Sequence, residues 1–130
     1  MPITLSVTPF YAVFLTLIFL VLSVRVIRAR QTQKFAYGSG EGRDNEALIR
    51  AQRNWAEYVP IALLLLLMAE LQGINVVWLH ICGLILLVGR ALHGYGMGFD
   101  RKFFMGRVAG TGLTLLALIV LGLTNLVALF

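Results

Sequence analysis

Four apolar runs dominate the chain and leave it few options. The first covers about residues 10–27, the second ends near Leu71, the third covers about 74–92 and the fourth about 108–130. A bilayer's hydrocarbon core is about 30 Å thick and a helix rises about 1.5 Å per residue, so roughly 20 apolar residues suffice to cross it. Lipid offers no hydrogen bonds, so each run must satisfy its own backbone as a helix. The composition agrees. Of the 130 residues 59% are hydrophobic, and the mean hydropathy is +0.86, more than a soluble domain of this size needs. We therefore expect an all-α integral membrane four-helix bundle. It should be a single domain over 1–130, with helices at approximately 7–30, 45–71, 74–95 and 105–129. No basic segment precedes the first run and no small-residue cleavage motif follows it, so it reads as a spanning helix and not as a removed signal.

The basic residues set the expected orientation. Arg25, Arg28, Arg30, Lys34, Arg43, Arg50 and Arg53 flank the first loop, and Arg90, Arg101, Lys102 and Arg107 flank the third. The middle turn and both ends of the chain carry no Lys or Arg. The positive-inside rule then places both termini outside and the two basic loops in the cytoplasm. Asp44 or Asn45 can cap the second helix. The Gly38–Gly42 stretch reads as a flexible loop in which nothing can pack, and Gly94–Lys102 as a second glycine-punctuated loop. Neither is a phosphate loop, since no Gly-Lys-Ser/Thr follows. Gly83, Gly89, Gly106, Gly110, Gly112 and Gly122 offer small faces for close helix contact within or between subunits. The single cysteine rules out an intrachain disulfide and Cys-cluster metal sites. No metal site and no nucleic-acid partner is expected.

One stretch breaks the apolar pattern: Arg50-Ala51-Gln52-Arg53-Asn54-Trp55-Ala56-Glu57-Tyr58-Val59-Pro60. Arg50, Arg53, Asn54 and Glu57 follow i, i+3, i+4, i+7 spacing, so on a helix they share one face. A helix entering a bilayer carries such a face only toward a partner, a water-filled cavity or a ligand. Arg30, Arg50, Arg53, Arg90 and Arg107 all fall near one membrane boundary. Clustered guanidinium groups repel each other and suit carboxylates, to which they donate paired hydrogen bonds. Glu57 adds an anion, Asn54 donors and acceptors, and Tyr58 a phenol. A small ligand with several carboxylates and one ammonium fits this set. Glu57 could equally be a structural partner of Arg53 or Arg90. Arg25, Arg28, Arg43, Arg101 and Lys102 read as snorkelling to anionic lipid headgroups. Cys82 and His80 read as buried helix residues, His80 hydrogen-bonded to a neighbouring helix. Glu70 reads as reaching water at the outer turn, and Trp55 and Trp78 as belonging to the two aromatic belts.

The pattern Arg50-Ala51-Gln52-x-Asn54-x-x-Glu57-Tyr58-x-Pro60 resembles the signature of the MAPEG family, membrane-associated proteins in eicosanoid and glutathione metabolism. Val26-Ile27-x-Ala29-Arg30 is similar to its leukotriene-synthase branch and Arg90-x-x-His93 to its prostaglandin-synthase branch. As a whole the chain looks closest to the small bacterial inner-membrane branch. The resemblance implies a homotrimer with glutathione bound between subunits near the cytoplasmic boundary. Arg30, Arg50, Gln52, Asn54, Glu57, Tyr58, Arg90 and His93 would bind glutathione as thiol co-substrate, and Arg107 would be the catalytic arginine that stabilises its thiolate. Some members carry a tyrosine after the third-helix arginine; Tyr95 stands near that position at a different spacing. The implied activity is a glutathione-dependent transferase or peroxidase acting on a lipophilic electrophile or hydroperoxide from the bilayer. The alternative is a non-catalytic lipid- or ligand-binding protein of the same fold. A small multidrug exporter fits poorly, because the first apolar run lacks the carboxylate such exporters use.

Overall fold

The computed structural model describes residues 2–40 and 42–130, and is all-helical apart from turns among them. The helices are α1 (Val7–Gln33), α2 (Arg43–Leu71), α3 (Val76–Gly98) and α4 (Phe104–Val127). All four are long and apolar enough to cross a membrane. They alternate in direction, so the two basic loops share one end of the bundle and the α2–α3 turn lies at the other. The inner helices α2 and α3 touch each other and both outer helices, whereas α1 and α4 do not meet.

Local chemistry explains several boundaries. Asn75 caps α3, its Oδ1 accepting from the amides of Val77 (2.9 Å) and Trp78 (3.3 Å), as an N-cap asparagine does. α1 ends on Lys34 in the left-handed region (φ 55°). α2 starts earlier than its sequence suggests, with Gly42 at the N-cap position and no side-chain cap. Asp44 and Asn45 sit in its first turn instead. Asp44 pairs with Arg101 at 3.1 Å, and Asn45 hydrogen-bonds the Gln33 side chain. α2 then runs unbroken through Pro60.

Two expected loops behave differently. α3 does not stop near 95 but continues through Gly94, Gly96 and Gly98. Gly96 and Gly98 mark close packing rather than a break. A Cβ at Gly98 would lie 2.8 Å from the Leu22 side chain, and one at Gly96 would lie 2.9 Å from the Phe103 carbonyl oxygen. In the first loop, Phe35 packs against the cluster of Leu22, Val26, Leu48, Ile49 and Ala51, and Gly40 leaves room for its ring. The loop is therefore anchored, not free.

The main core holds Val7, Tyr11, Leu15, Val59, Ala62, Leu66, Leu79, Cys82, Leu86, Ala117 and Leu121, with the smaller Phe35-containing cluster at the basic end. Gly89 and Gly110 bring α3 and α4 together backbone to backbone; a Cβ at Gly110 would lie 2.6 Å from the Gly89 carbonyl oxygen. Gly112 and Gly122 face open space, so they serve no contact within the chain. The outer faces expose rows of Leu, Val, Ile and Phe, as a bilayer-embedded surface does.

The end opposite the basic loops is tied by polar contacts. Glu70, at the end of α2, does more than reach water. Its Oε1 accepts from the amides of Ser6 (2.7 Å) and Val7 (2.8 Å), and its Oε2 from Thr8 (2.7 Å). Trp78 donates to Thr124 at 2.9 Å, consistent with a boundary position. Trp55 is half-buried and packs on Phe19 with ring centres 4.6 Å apart. His80 is exposed rather than buried, and its Nδ1 lies 3.0 Å from the Tyr11 hydroxyl of α1.

Candidate functional site

At the basic end, α2, α3 and α4 surround a cavity of about 390 Å³ lined by Arg43, Glu46, Ala47, Arg50, Met97, Arg101 and Arg107. Four guanidinium groups face a single carboxylate there. Glu46 and Arg50 form an i,i+4 ion pair at 3.0 Å. The pair is open to solvent, so it fixes Arg50 only weakly. Arg107 opens α4 and is half-buried. Its Nη1 lies 3.8 Å from the Met97 sulfur, its guanidinium 5.1 Å from the Phe104 ring centre, and its buried Nε has no hydrogen-bond partner. Gly96 makes this placement possible. A Cβ there would stand 3.0 Å from the Arg107 amide and 3.2 Å from its Cγ.

Deeper in the bundle, Arg90 of α3 is 2% exposed. Its Nη1 donates to Asn54 Oδ1 at 2.7 Å, and the Tyr58 ring centre lies 6.0 Å from its guanidinium carbon. Its Nε and Nη2 have no partner. The surrounding gap, lined by Asn54, Tyr58, Arg90, Thr111, Thr114 and Leu115, is too tight to admit a water molecule. Thr114 does not answer Arg90, because its hydroxyl donates to the Gly110 carbonyl at 2.7 Å. His93 is buried one turn further along α3. A buried guanidinium held by one neutral acceptor is expensive and marks a place with a function or a missing partner.

The structure divides the residues that the sequence grouped. Asn54, Tyr58, Arg90, His93 and Arg107 lie on the α3–α4 side, with Arg50 at the cavity mouth. Gln52 turns the other way, and its Nε2 donates to Ser23 of α1 at 3.0 Å. The helix explains this: two residues advance about 200°, so Gln52 and Asn54 must face opposite sides. Arg30 also lies apart, donating to the Ala36 carbonyl at 2.9 Å with its guanidinium over Phe35. Glu57 and Arg53 are exposed, and Glu57 pairs with neither Arg53 nor Arg90. It is Asn54, three residues earlier, that holds Arg90.

The sequence profile of the MAPEG family matches residues 8–127, nearly the whole chain. The chain belongs to the MAPEG family. It is 38% identical over 120 residues to Inner membrane protein YecN of Escherichia coli strain K12, across 92% of this chain and 90% of that protein. The same identity and coverage hold for Inner membrane protein YecN of Escherichia coli O6:H1, strain CFT073. This MAPEG chain is thus a multi-pass membrane protein with its cationic groups gathered at one end of four helices. Arg43 and Arg101, read from sequence as lipid-facing, line the Arg107 cavity. Glu46 was missed as well, although its i,i+4 spacing to Arg50 was legible. Met97 gave no signal, since a methionine in an apolar helix has no reason to stand out.

Proposed function

We propose that this MAPEG protein is a membrane-bound, glutathione-dependent transferase or peroxidase of the bacterial inner membrane, active as a homotrimer. The observation that carries the reading is the Arg107 cavity, with four guanidinium groups, one carboxylate and an unpartnered Arg107 Nε. Its volume lies in the range of small-ligand sites. Glutathione brings two carboxylates and one ammonium, which suit Arg43, Arg50 and Arg101 on one hand and Glu46 on the other. Asn54, Tyr58, Arg90 and His93 lie deeper than this cavity, beside a gap too tight for water, so they would reach glutathione only after side-chain movement, and exposed Glu57 would reach ligand from α2.

Arg30 and Gln52 lie on the α1 side, away from Arg107, so one chain alone does not assemble the full set. A second copy presenting its α1 side to the α4 side of the first would complete it, which supports a site between subunits. Arg107 would act by stabilising the thiolate through its positive charge while the thiol proton leaves to water. The thiolate sulfur would then bond to the electrophilic carbon of a lipophilic substrate as the leaving group departs with the bond electrons. Titration of the detergent-purified protein with glutathione, followed by ultraviolet thiolate absorbance, tests this. A saturable signal is expected in the native protein and its loss in Arg107→Ala, with binding weakened less than thiolate formation. Absence of glutathione binding, or an undiminished thiolate signal in the variant, would refute the reading.

One observation favours the non-catalytic reading. Tyr95 is exposed, stacks on Phe99 and faces away from the Arg107 cavity. Glutathione binding without any thiolate signal would support that alternative.

A further inference from the structure

On the opposite side of α3 from Arg107 lies a second basic pocket of about 410 Å³, lined among others by Arg25, Arg28, Asp44, Phe99 and Arg101. Three guanidinium groups meet one carboxylate, which Arg101 already engages at 3.1 Å. Arg25 is held in place. Its Nη2 donates to the Gly98 carbonyl at 2.9 Å and its guanidinium carbon sits 4.0 Å from the Phe99 ring centre. Arg28 is exposed and has no protein partner among the described residues. Directly below this pocket runs an almost purely apolar groove of about 290 Å³ between α1 and α3. It is lined by Leu17, Ile18, Val21, Leu22, Ala91, Gly94, Tyr95 and Phe99. Phe99 belongs to both spaces and joins them.

The two spaces follow one stripe on each helix. On α1 the positions 17, 18, 21, 22, 25 and 28 recur at helical spacing, and on α3 the positions 91, 94, 95, 98 and 99 do the same. Gly94 opens the groove. A Cβ there would only just touch Ile18 and Leu22, at 3.7 and 3.8 Å, so any longer side chain would project into the slot. From Leu17 to Arg28 the stripe is roughly 16 Å long at 1.5 Å per residue. One leaflet of hydrocarbon is about 15 Å deep. The cationic head and the apolar groove together therefore span about one leaflet, the groove itself taking roughly 8 Å along α1 and 12 Å along α3.

We propose that this slot binds an acidic phospholipid of the leaflet on the basic side, with its phosphate among Arg25, Arg28 and Arg101 and an acyl chain in the α1–α3 groove. Guanidinium groups donate paired hydrogen bonds to phosphate oxygens, which a carboxylate-poor pocket leaves unopposed. The slot shares Arg101 and Met97 with the Arg107 cavity, but Arg25, Arg28 and Gly94 line no part of that cavity, so variants at these three positions test the lipid site separately from the glutathione reading.

Native mass spectrometry of the full-length protein released from detergent tests it. The probes are dioleoyl phosphatidylglycerol, dioleoyl phosphatidylcholine and glycerol phosphate. We expect tight, saturable binding of one phosphatidylglycerol per chain, at least tenfold weaker binding of phosphatidylcholine, and no retention of glycerol phosphate. The double variant Arg25→Gln, Arg28→Gln should lose roughly 30-fold in affinity for phosphatidylglycerol, two phosphate-facing charges at about fivefold each. Gly94→Leu keeps every arginine but plugs the groove, and should lose tenfold or more. Equal binding of the two lipids, retention of glycerol phosphate alone, or native affinity in the double variant would each overturn the proposal. Should Gly94→Leu fail to fold, the arginine pair still decides, since Arg28 has no hydrogen bond or ion pair among the described residues, and Arg28→Gln alone leaves the Arg25 contacts with Gly98 and Phe99 intact.

Discussion

Removing the Glu70 carboxylate should loosen the start of α1. The first turn of any helix leaves four amides without intrahelical partners. α1 carries no acidic residue in that turn and no side-chain cap of its own. Three of its amides are instead served by one carboxylate from the end of α2, at 2.7, 2.8 and 2.7 Å. In Glu70→Ala, water can replace the bond to the exposed Ser6 amide at little cost. Val7 and Thr8 are buried, at 0% and 7% exposure, and each unmet buried amide costs about 1–3 kcal/mol. The loss should therefore be about 2–6 kcal/mol, with the helix dipole at the N-terminus adding to it. Glu70→Gln keeps one acceptor oxygen but turns an NH₂ toward an amide donor, and should lose about 1–2 kcal/mol, the scale of a helix-cap change. Unfolding of detergent-solubilised protein by sodium dodecyl sulfate measures the total. Amide hydrogen exchange over residues 6–11 locates it. Glu57→Ala is the control, since Glu57 is exposed and has no hydrogen bond or ion pair among the described residues. If Glu70→Ala unfolds within about 0.5 kcal/mol of the native protein, the range expected for surface changes, and Val7 and Thr8 exchange no faster, the carboxylate does not carry this helix end.

Other outcomes follow from the same geometry. Asn54→Leu removes the acceptor at 2.7 Å that holds buried Arg90, so it should destabilise by about 3–5 kcal/mol, and adding Arg90→Met should restore most of that; the same unfolding assay on both single variants and the double variant decides. Gly110→Ala would place a Cβ 2.5 Å from the His93 amide and should cost at least about 1–3 kcal/mol. Gly112→Ala meets nothing within 4 Å and should be neutral or stabilise by up to about 1 kcal/mol. Phe35→Ala removes the anchor of the first loop and should speed proteolysis between α1 and α2 several-fold, while Tyr37→Ala, on the exposed part of that loop, should leave the rate unchanged.

Hydrophobic runs and basic residues were enough to read four membrane-length helices, and the Arg50–Pro60 stretch was enough to read the family. Those readings succeed because bilayer thickness and backbone hydrogen bonding act on contiguous segments, and helix phase acts on near neighbours. The glycines misled. At 96 and 98 the local preference for a break gave way to packing against Phe103, Arg107 and Leu22, contacts that no local pattern contains. Glycine's low helix propensity is worth only about 1 kcal/mol per residue, and close packing of a whole helix end outweighs it.

The partners of the charged groups were the least legible. Glu70 meets amides 62 to 64 positions away, Arg90 meets Asn54 across 36, and Arg101 meets Asp44 across the bundle. Residue type marked Arg90 as needing a partner, since a guanidinium inside the bundle must be satisfied, but left Glu70 to water and Arg101 to lipid headgroups. Which partner each one found depended on how four helices of fixed phase were rotated against one another, and side-chain packing across the interfaces sets that rotation. Helix phase alone puts Gln52 and Asn54 on opposite sides of α2, but the packing decided that one side meets Ser23 of α1 and the other Arg90 of α3, so a cluster that looks continuous along the chain is divided between two faces of the folded molecule.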